Sequence, residues 1–201
     1  MKTTTRRDLH LIAELIPPGS RVLDLGCGTG ELLELLIRER GVRGSGVEIS
    51  EEGIYACIAK GLPVHQGNLD EGLGDYPDNS FDYVILSQTL QAINRPAFVV
   101  QEMLRVGGIG VVSFPNFGYW RVLWSLLLTR RMPKTPTLPY EWYETPNIHL
   151  CTIEDFYDLT RELGFRVVSR RFLSGGHEIQ KLPNWRAESA IFTIERPGKE
   201  Q

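Results

Sequence analysis

Val22-Leu23-Asp24-Leu25-Gly26-Cys27-Gly28-Thr29-Gly30 decides the fold. An apolar, strand-forming run enters three alternating glycines, and Glu31 to Arg40 follows as a helix with Leu32, Leu33, Leu36 and Ile37 inward. Glycines at such a turn let the main chain bend tightly and let a ligand lie against it with no Cβ in the way. The next strand, Gly44 to Ile49, carries Glu48, eighteen positions after Gly30. In a doubly wound sheet that carboxylate emerges at the same carboxyl edge as the turn, where it can accept from two ribose hydroxyls at once. A bare strand–turn–helix with a solvated glutamate is the plain alternative. Strand context, three alternate glycines and an acid ending the next strand together favour a nucleoside site.

The pattern continues outward. A short amphipathic helix over about Arg6 to Ile16 stops at Pro17-Pro18-Gly19. Glu51 to Lys60 reads as a helix, Pro63 to Gln66 and Phe81 to Leu86 as strands, Pro96 as the first turn of a helix ended by Gly107-Gly108, and Ile109 to Phe114 as a strand. Strands joined by helices of this length imply right-handed crossovers and a mostly parallel sheet covered on both faces. Thr152-Ile153-Glu154-Asp155 has capping-box form and opens a helix closed by Gly164. Phe165 to Leu173 and Ser189 to Glu195 then read as an antiparallel hairpin at the sheet edge. The expectation is an α/β fold with a doubly wound, mostly parallel seven-stranded sheet in a single domain over residues 1–201.

Residues 115–150 break the alternation. They hold Trp120, Trp124 and Trp142, three tyrosines and the prolines 133, 136, 139 and 146, too many for an ordinary connection, so they read as a lid or interaction insert. Trp120, Leu123, Trp124 and Leu126 to Leu128 lie nearly all round one helix, which must be buried, either within its own domain or against another protein. Arg130, Arg131 and Lys134 beside it either steer an acidic partner or form a solvated rim.

Composition bounds the function. The chain has 201 residues and a formal net charge of −3, which disfavours a nucleic-acid footprint. Folding a chain of this length buries roughly 70% of the unfolded surface, so no disulfide or metal is needed to hold a core. Three scattered cysteines, Cys27, Cys57 and Cys151, form no CxxC pair and predict neither a disulfide scaffold nor a metal site. The longest apolar stretch, Val122 to Leu128, is far short of the ~20 residues a membrane span needs. A soluble cytoplasmic protein is expected.

Dinucleotide sites favour G-x-G-x-x-G, with a diphosphate at the helix N-terminus. Here Glu31 stands at that motif's last glycine and disfavours a diphosphate. The turn with Asp24 instead resembles the first motif of class I S-adenosylmethionine-dependent methyltransferases, a Rossmann-like family. Glu48 falls where that family places its ribose-binding acid, Asn68-Leu69-Asp70 where it contacts adenine, and Arg105 to Gly108 at its helix-to-strand junction. The resemblance implies a ligand set of Asp24, Gly26, Cys27, Gly28, Gly30, Glu48, Ile49, Asn68, Leu69, Asp70, Ser87 and Gln88. Many members have Asp where this chain has Asn68; an amide oxygen still accepts from an adenine amino group, or Asp70 substitutes.

Ser113 to Gly118, Met132-Pro133, Leu138 to Leu150 and Leu86 to Gln91 narrow the resemblance to the MetW methionine-biosynthesis proteins. It implies assistance to homoserine O-acyltransferase more firmly than it implies methyl transfer. The N-P-P-Y signature of base methylation is absent after the fourth strand, where Ser87-Gln88-Thr89 stands. Candidate catalytic side chains are few. His149 is a base or a loop histidine, Gln88 orients a substrate or only its own loop, and Cys27 packs inside the turn or has its pKa lowered by the helix N-terminus.

Overall fold

The apolar runs form the middle of one sheet. In the computed structural model, which describes residues 6–135 and 137–197, the strands are β1 (Arg21–Leu25), β2 (Arg43–Glu48), β3 (Val64–Gln66), β4 (Phe81–Ser87), β5 (Gly107–Pro115), β6 (Arg166–Ser174), β7 (His177–Glu178) and β8 (Ser189–Glu195). Pro136, one of the insert's prolines, lies outside the described residues, as do residues 1–5 and 198–201. The sheet order is β3-β2-β1-β4-β5-β8-β6-β7. The first five strands pair in parallel, and β8 runs antiparallel between β5 and β6.

All seven strands read from the sequence are present, and the two-residue β7 makes an eighth. Two residues are too few to leave a hydrophobic period, which is why the sequence does not announce it. The edge pair is antiparallel as expected, but its second member lies inward against β5, and its connection holds β7 and the single-turn α7 (Pro183–Arg186).

The helices are α1 (Arg7–Leu15), α2 (Glu31–Arg40), α3 (Glu51–Ala59), α4 (Pro96–Val106), α5 (Trp120–Thr129) and α6 (Ile153–Glu162). Each start has a local cause. Ser50 caps α3, Pro96 stands in the first turn of α4, and Thr152 with Asp155 forms a complete capping box on α6. The fully buried rings of Phe114, Phe156 and Phe192 lie with centroids 4.7–5.9 Å apart and seat α6 on β5 and β8. Among the described residues no helix is long and apolar enough to cross a membrane.

The insert is fastened at its root by Asn116, which is 1% exposed. Its amide donates to the carbonyls of Asn184 (2.8 Å) and Ala187 (2.9 Å), and its oxygen accepts from the amides of Gly118 (3.0 Å) and Ile153 (3.3 Å). Every polar valence that an Asn side chain offers is used. Farther out, Tyr119, Val122 and Leu138 make a small core with Phe117. Of the two covers the sequence offers the apolar α5, its own domain supplies little: Val122 is its one buried residue, and Leu127 and Leu128 are 69% and 73% exposed.

Candidate functional site

The strand order reverses at β1, with β2 on one side and β4 on the other, and the glycine turn sits at the carboxyl end of that switch point. Gly26, Gly28 and Gly30 all have positive φ, +67°, +55° and +77°. Conformations of that kind strain any residue with a Cβ. The turn is held to β2 by the amides of Gly26 and Cys27, which both donate to the Val47 carbonyl (2.8 and 3.1 Å). A Cβ on Gly26 would lie 2.6 Å from Thr89, whereas one on Gly28 would meet nothing within 4 Å. Gly26 is therefore a close approach, and Gly28 faces open space.

Glu48 does more here than end a strand. It is 8% exposed, and its carboxylate accepts the amides of Gly28 (2.7 Å), Ile49 (2.9 Å) and Ser50 (2.8 Å). Three main-chain donors hold it aimed at the turn. Gly53 allows this closeness: a Cβ there would fall 2.8 Å from the Gly28 oxygen and 2.9 Å from the Glu48 side chain.

A crevice of about 440 Å³ opens between the turn and the ends of β2, β3 and β4. It gathers Gly26, Glu48, Ile49, Asn68, Leu69, Asp70 and Gln88 from the residues singled out in the sequence. A recess of about 160 Å³ adjoins it, sharing Gly26 and Gln88 and adding Asp24, Cys27, Gly28 and Ser87. Gly30 lines neither space. A Cβ there would strike Leu62 at 2.5 Å and Cys57 at 2.9 Å, so it serves as the tight N-cap of α2.

The acids differ in state. Asp24 is 2% exposed; burial first, then the neighbouring Glu48, push its carboxyl up to about 7. For Asp70 burial is the largest single influence and pushes upward, but hydrogen bonds from Asn94 and Arg95 together outweigh it and hold the carboxyl below the usual carboxylate range. The Asn68 oxygen accepts the Asp70 amide at 3.1 Å, fixing the turn over which Leu69 enters the crevice. At Cys27 burial first, then Asp24 and Cys57, push the thiol up, which opposes the lowering that a helix N-terminus would bring.

Gln88 has φ +55°, an uncommon conformation for a residue with a side chain. Its amide donates to the Ser113 carbonyl (2.9 Å) and hydroxyl (3.1 Å), and its carbonyl accepts from the Gln91 side chain (2.7 Å). His149 lines neither the crevice nor the recess; its ring is exposed while its amide donates to the Gln91 carbonyl at 3.0 Å. The insert also forms a cleft of its own, about 240 Å³, walled by Phe117, Met132, Leu138, Tyr140 and Trp142 among others. This cleft shares no lining residue with the crevice or recess.

Sequence reasoning missed Thr89, Ala92, Ile93 and Asn94, which form one wall of the crevice. They lie on an irregular segment with a single 3-10 turn, Leu90–Ala92, where no period guides assignment. The readable signal was local: Ser87-Gln88-Thr89 follows a buried strand and so emerges at the same sheet edge.

Known proteins share this fold and sequence. The family model described as "Methionine biosynthesis protein MetW" matches residues 6–194. A bifunctional methionine biosynthesis protein MetXA/MetW of Rhodopirellula baltica is 35% identical over 98% of this chain, which spans 34% of that relative's length. A demethylmenaquinone methyltransferase of Renibacterium salmoninarum is 30% identical over 86% of this chain and 78% of its own. In fold, the chain superposes on an S-adenosylmethionine-dependent methyltransferase of Mesorhizobium loti with a TM-score of 0.72, at 18% identity, covering 96% of this chain and 99% of the other. The chain belongs to the MetW family of methionine biosynthesis proteins.

Proposed function

We propose that the chain binds S-adenosylmethionine or S-adenosylhomocysteine in the crevice and assists homoserine O-acyltransferase. The observation that carries the partnership is the relative in which a MetW unit and MetXA share one polypeptide. The site suits the nucleoside. Gly28 leaves open the space that a Cβ would occupy, Glu48 keeps one lone pair, on Oε2, for a ribose hydroxyl, and Ile49 and Leu69 offer apolar surface to a base. Asp24 in the adjoining recess is a partner for the cationic amino-acid end, because a nearby positive charge favours the ionised form of a desolvated carboxylate. When bound, S-adenosylmethionine supplies a methyl group on a sulfonium. The chain's own contribution is to hold the nucleoside and to display the insert rooted at Asn116.

The deciding experiment measures homoserine O-acyltransferase activity with and without this chain, and with and without S-adenosylmethionine. Complex formation together with stimulation supports the reading; neither complex nor stimulation overturns it. Catalytic methyl transfer to a small molecule or protein is the second reading, favoured by the 30% identity to a demethylmenaquinone methyltransferase. Labelled S-adenosylmethionine incubated with candidate acceptors tests it, and no turnover with any of them counts against it.

A further inference from the structure

The outer face of α5 lacks a folding reason. Trp120, Trp124, Leu127 and Leu128 follow each other at i, i+4, i+7 and i+8, the spacing of one helical stripe, and all are exposed. A ten-residue helix is marginal by itself. Within the chain it gains burial through Val122 and the small core around it, while its largest side chains stay in water. Asn116 nevertheless fixes the root of this segment with four hydrogen bonds, so the stripe projects from an anchored base. A stripe at this spacing is the anchor pattern of a helix received in an apolar groove.

Charge indicates what receives it. Between residues 115 and 140 the sequence has no Asp or Glu, against Arg121, Arg130, Arg131 and Lys134, of which Lys134 is paired with Glu141 at 2.7 Å, in a chain whose net charge is −3. Two copies laid stripe to stripe would bring together two segments that each carry cations and no carboxylate, which disfavours self-pairing. A lipid surface fits the charge but not the shape, since the same segment carries the concave aromatic cleft of about 240 Å³, which a flat bilayer face would leave unfilled. A protein surface with an apolar groove, projecting side chains and a carboxylate rim meets all three requirements.

We infer that the Trp120–Leu128 stripe of α5, with Arg130 and Arg131 at its end, is the surface that docks on homoserine O-acyltransferase, in an apolar groove edged by carboxylates. This inference rests on the partnership proposed above and adds to it the place and chemistry of contact.

Titration calorimetry of the purified full chain against the acyltransferase tests it, using Leu127→Glu/Leu128→Glu and Arg130→Glu/Arg131→Glu, with S-adenosylhomocysteine affinity as the control for folding. The apolar pair should weaken docking by about 100-fold, as for two interface anchors. The charge-reversed pair should weaken it by about 10-fold at low salt and by less at high salt. Wild-type docking with undiminished docking of Leu127→Glu/Leu128→Glu overturns the surface assignment and leaves the partnership standing. Absence of wild-type docking overturns the partnership and this inference with it. A dimer of this chain, or binding to anionic phospholipid vesicles, that Leu127→Glu/Leu128→Glu abolishes while acyltransferase docking persists also overturns it.

Discussion

The carboxylate of Glu48 accepts the main-chain amide of Gly28 at 2.7 Å, so the acid that faces the crevice also clamps the turn that forms its floor. Binding and local stability therefore share one side chain. Glu48→Ala should weaken S-adenosylhomocysteine binding by about 1–3 kcal/mol, the range for hydrogen bonds to a charged group and for donors left without a partner. The same substitution should lower the melting temperature, because the amides of Ile49 and Ser50 lose their acceptor too. Calorimetric titration and thermal denaturation of one preparation check both effects, and an unchanged dissociation constant would remove Glu48 from the site.

Asp24 makes the protein's stability depend on pH. Its carboxyl titrates near 7 when folded and near the ordinary aspartate value when unfolded, so the folded state binds this proton more tightly. The contribution is fully present below about pH 4 and is lost as pH rises through about 7. Asp24→Asn should flatten that part of the stability curve between pH 5 and 8, measured by urea denaturation at each pH. An unaltered pH profile would show that Asp24 is not the group responsible.

The same carboxyl links ligand binding to protons. A cationic amino-acid end beside Asp24 favours its ionised form, so binding near pH 6.5 should release a proton. Titrations in buffers of different ionisation enthalpy should give different heats with the wild type and equal heats with Asp24→Asn. Equal heats with the wild type would place the cation elsewhere.

Asn116→Ala removes four hydrogen bonds at the insert's root and leaves buried main-chain groups unpaired. A loss of about 3 kcal/mol or more is expected, several-fold that of a single ordinary hydrogen bond. Denaturant unfolding measures it, and a change within about 0.5 kcal/mol would mean that the insert is held by other contacts.

Gly26→Ala places a methyl 2.6 Å from Thr89 at a backbone φ of +67°. Ligand binding should fall at least about 10-fold, and stability by about 1–3 kcal/mol, because both the turn and the Thr89 wall must shift. Gly28→Ala meets no atom within 4 Å, so it carries the conformational strain without the clash and should destabilise less than Gly26→Ala. Equal destabilisation by the two would show that φ alone, and not the approach to Thr89, sets the cost.

Much of the sheet and part of the site could be read from the sequence for the same reason: periodicity and glycine spacing are local. Apolar runs at β1, β4 and β5 and the turn from Gly26 to Gly30 announce themselves within ten residues. What escaped is non-local. Glu48 could be placed at the sheet edge, but nothing along the chain says that it reaches back twenty positions to the Gly28 amide. Asn116 looks like a loop residue until α7 and the start of α6 close around it. The outward pose of α5 could not be read from its composition, since an apolar helix reads the same whether its cover lies in the same chain or in another.

The most direct test of the crevice is calorimetric titration of the intact chain with S-adenosylhomocysteine and, separately, with NAD. Saturable one-to-one binding of S-adenosylhomocysteine, weakened in Glu48→Ala, with no heat from NAD, is the predicted result. No binding of S-adenosylhomocysteine, or saturable binding of NAD in its place, would contradict the account.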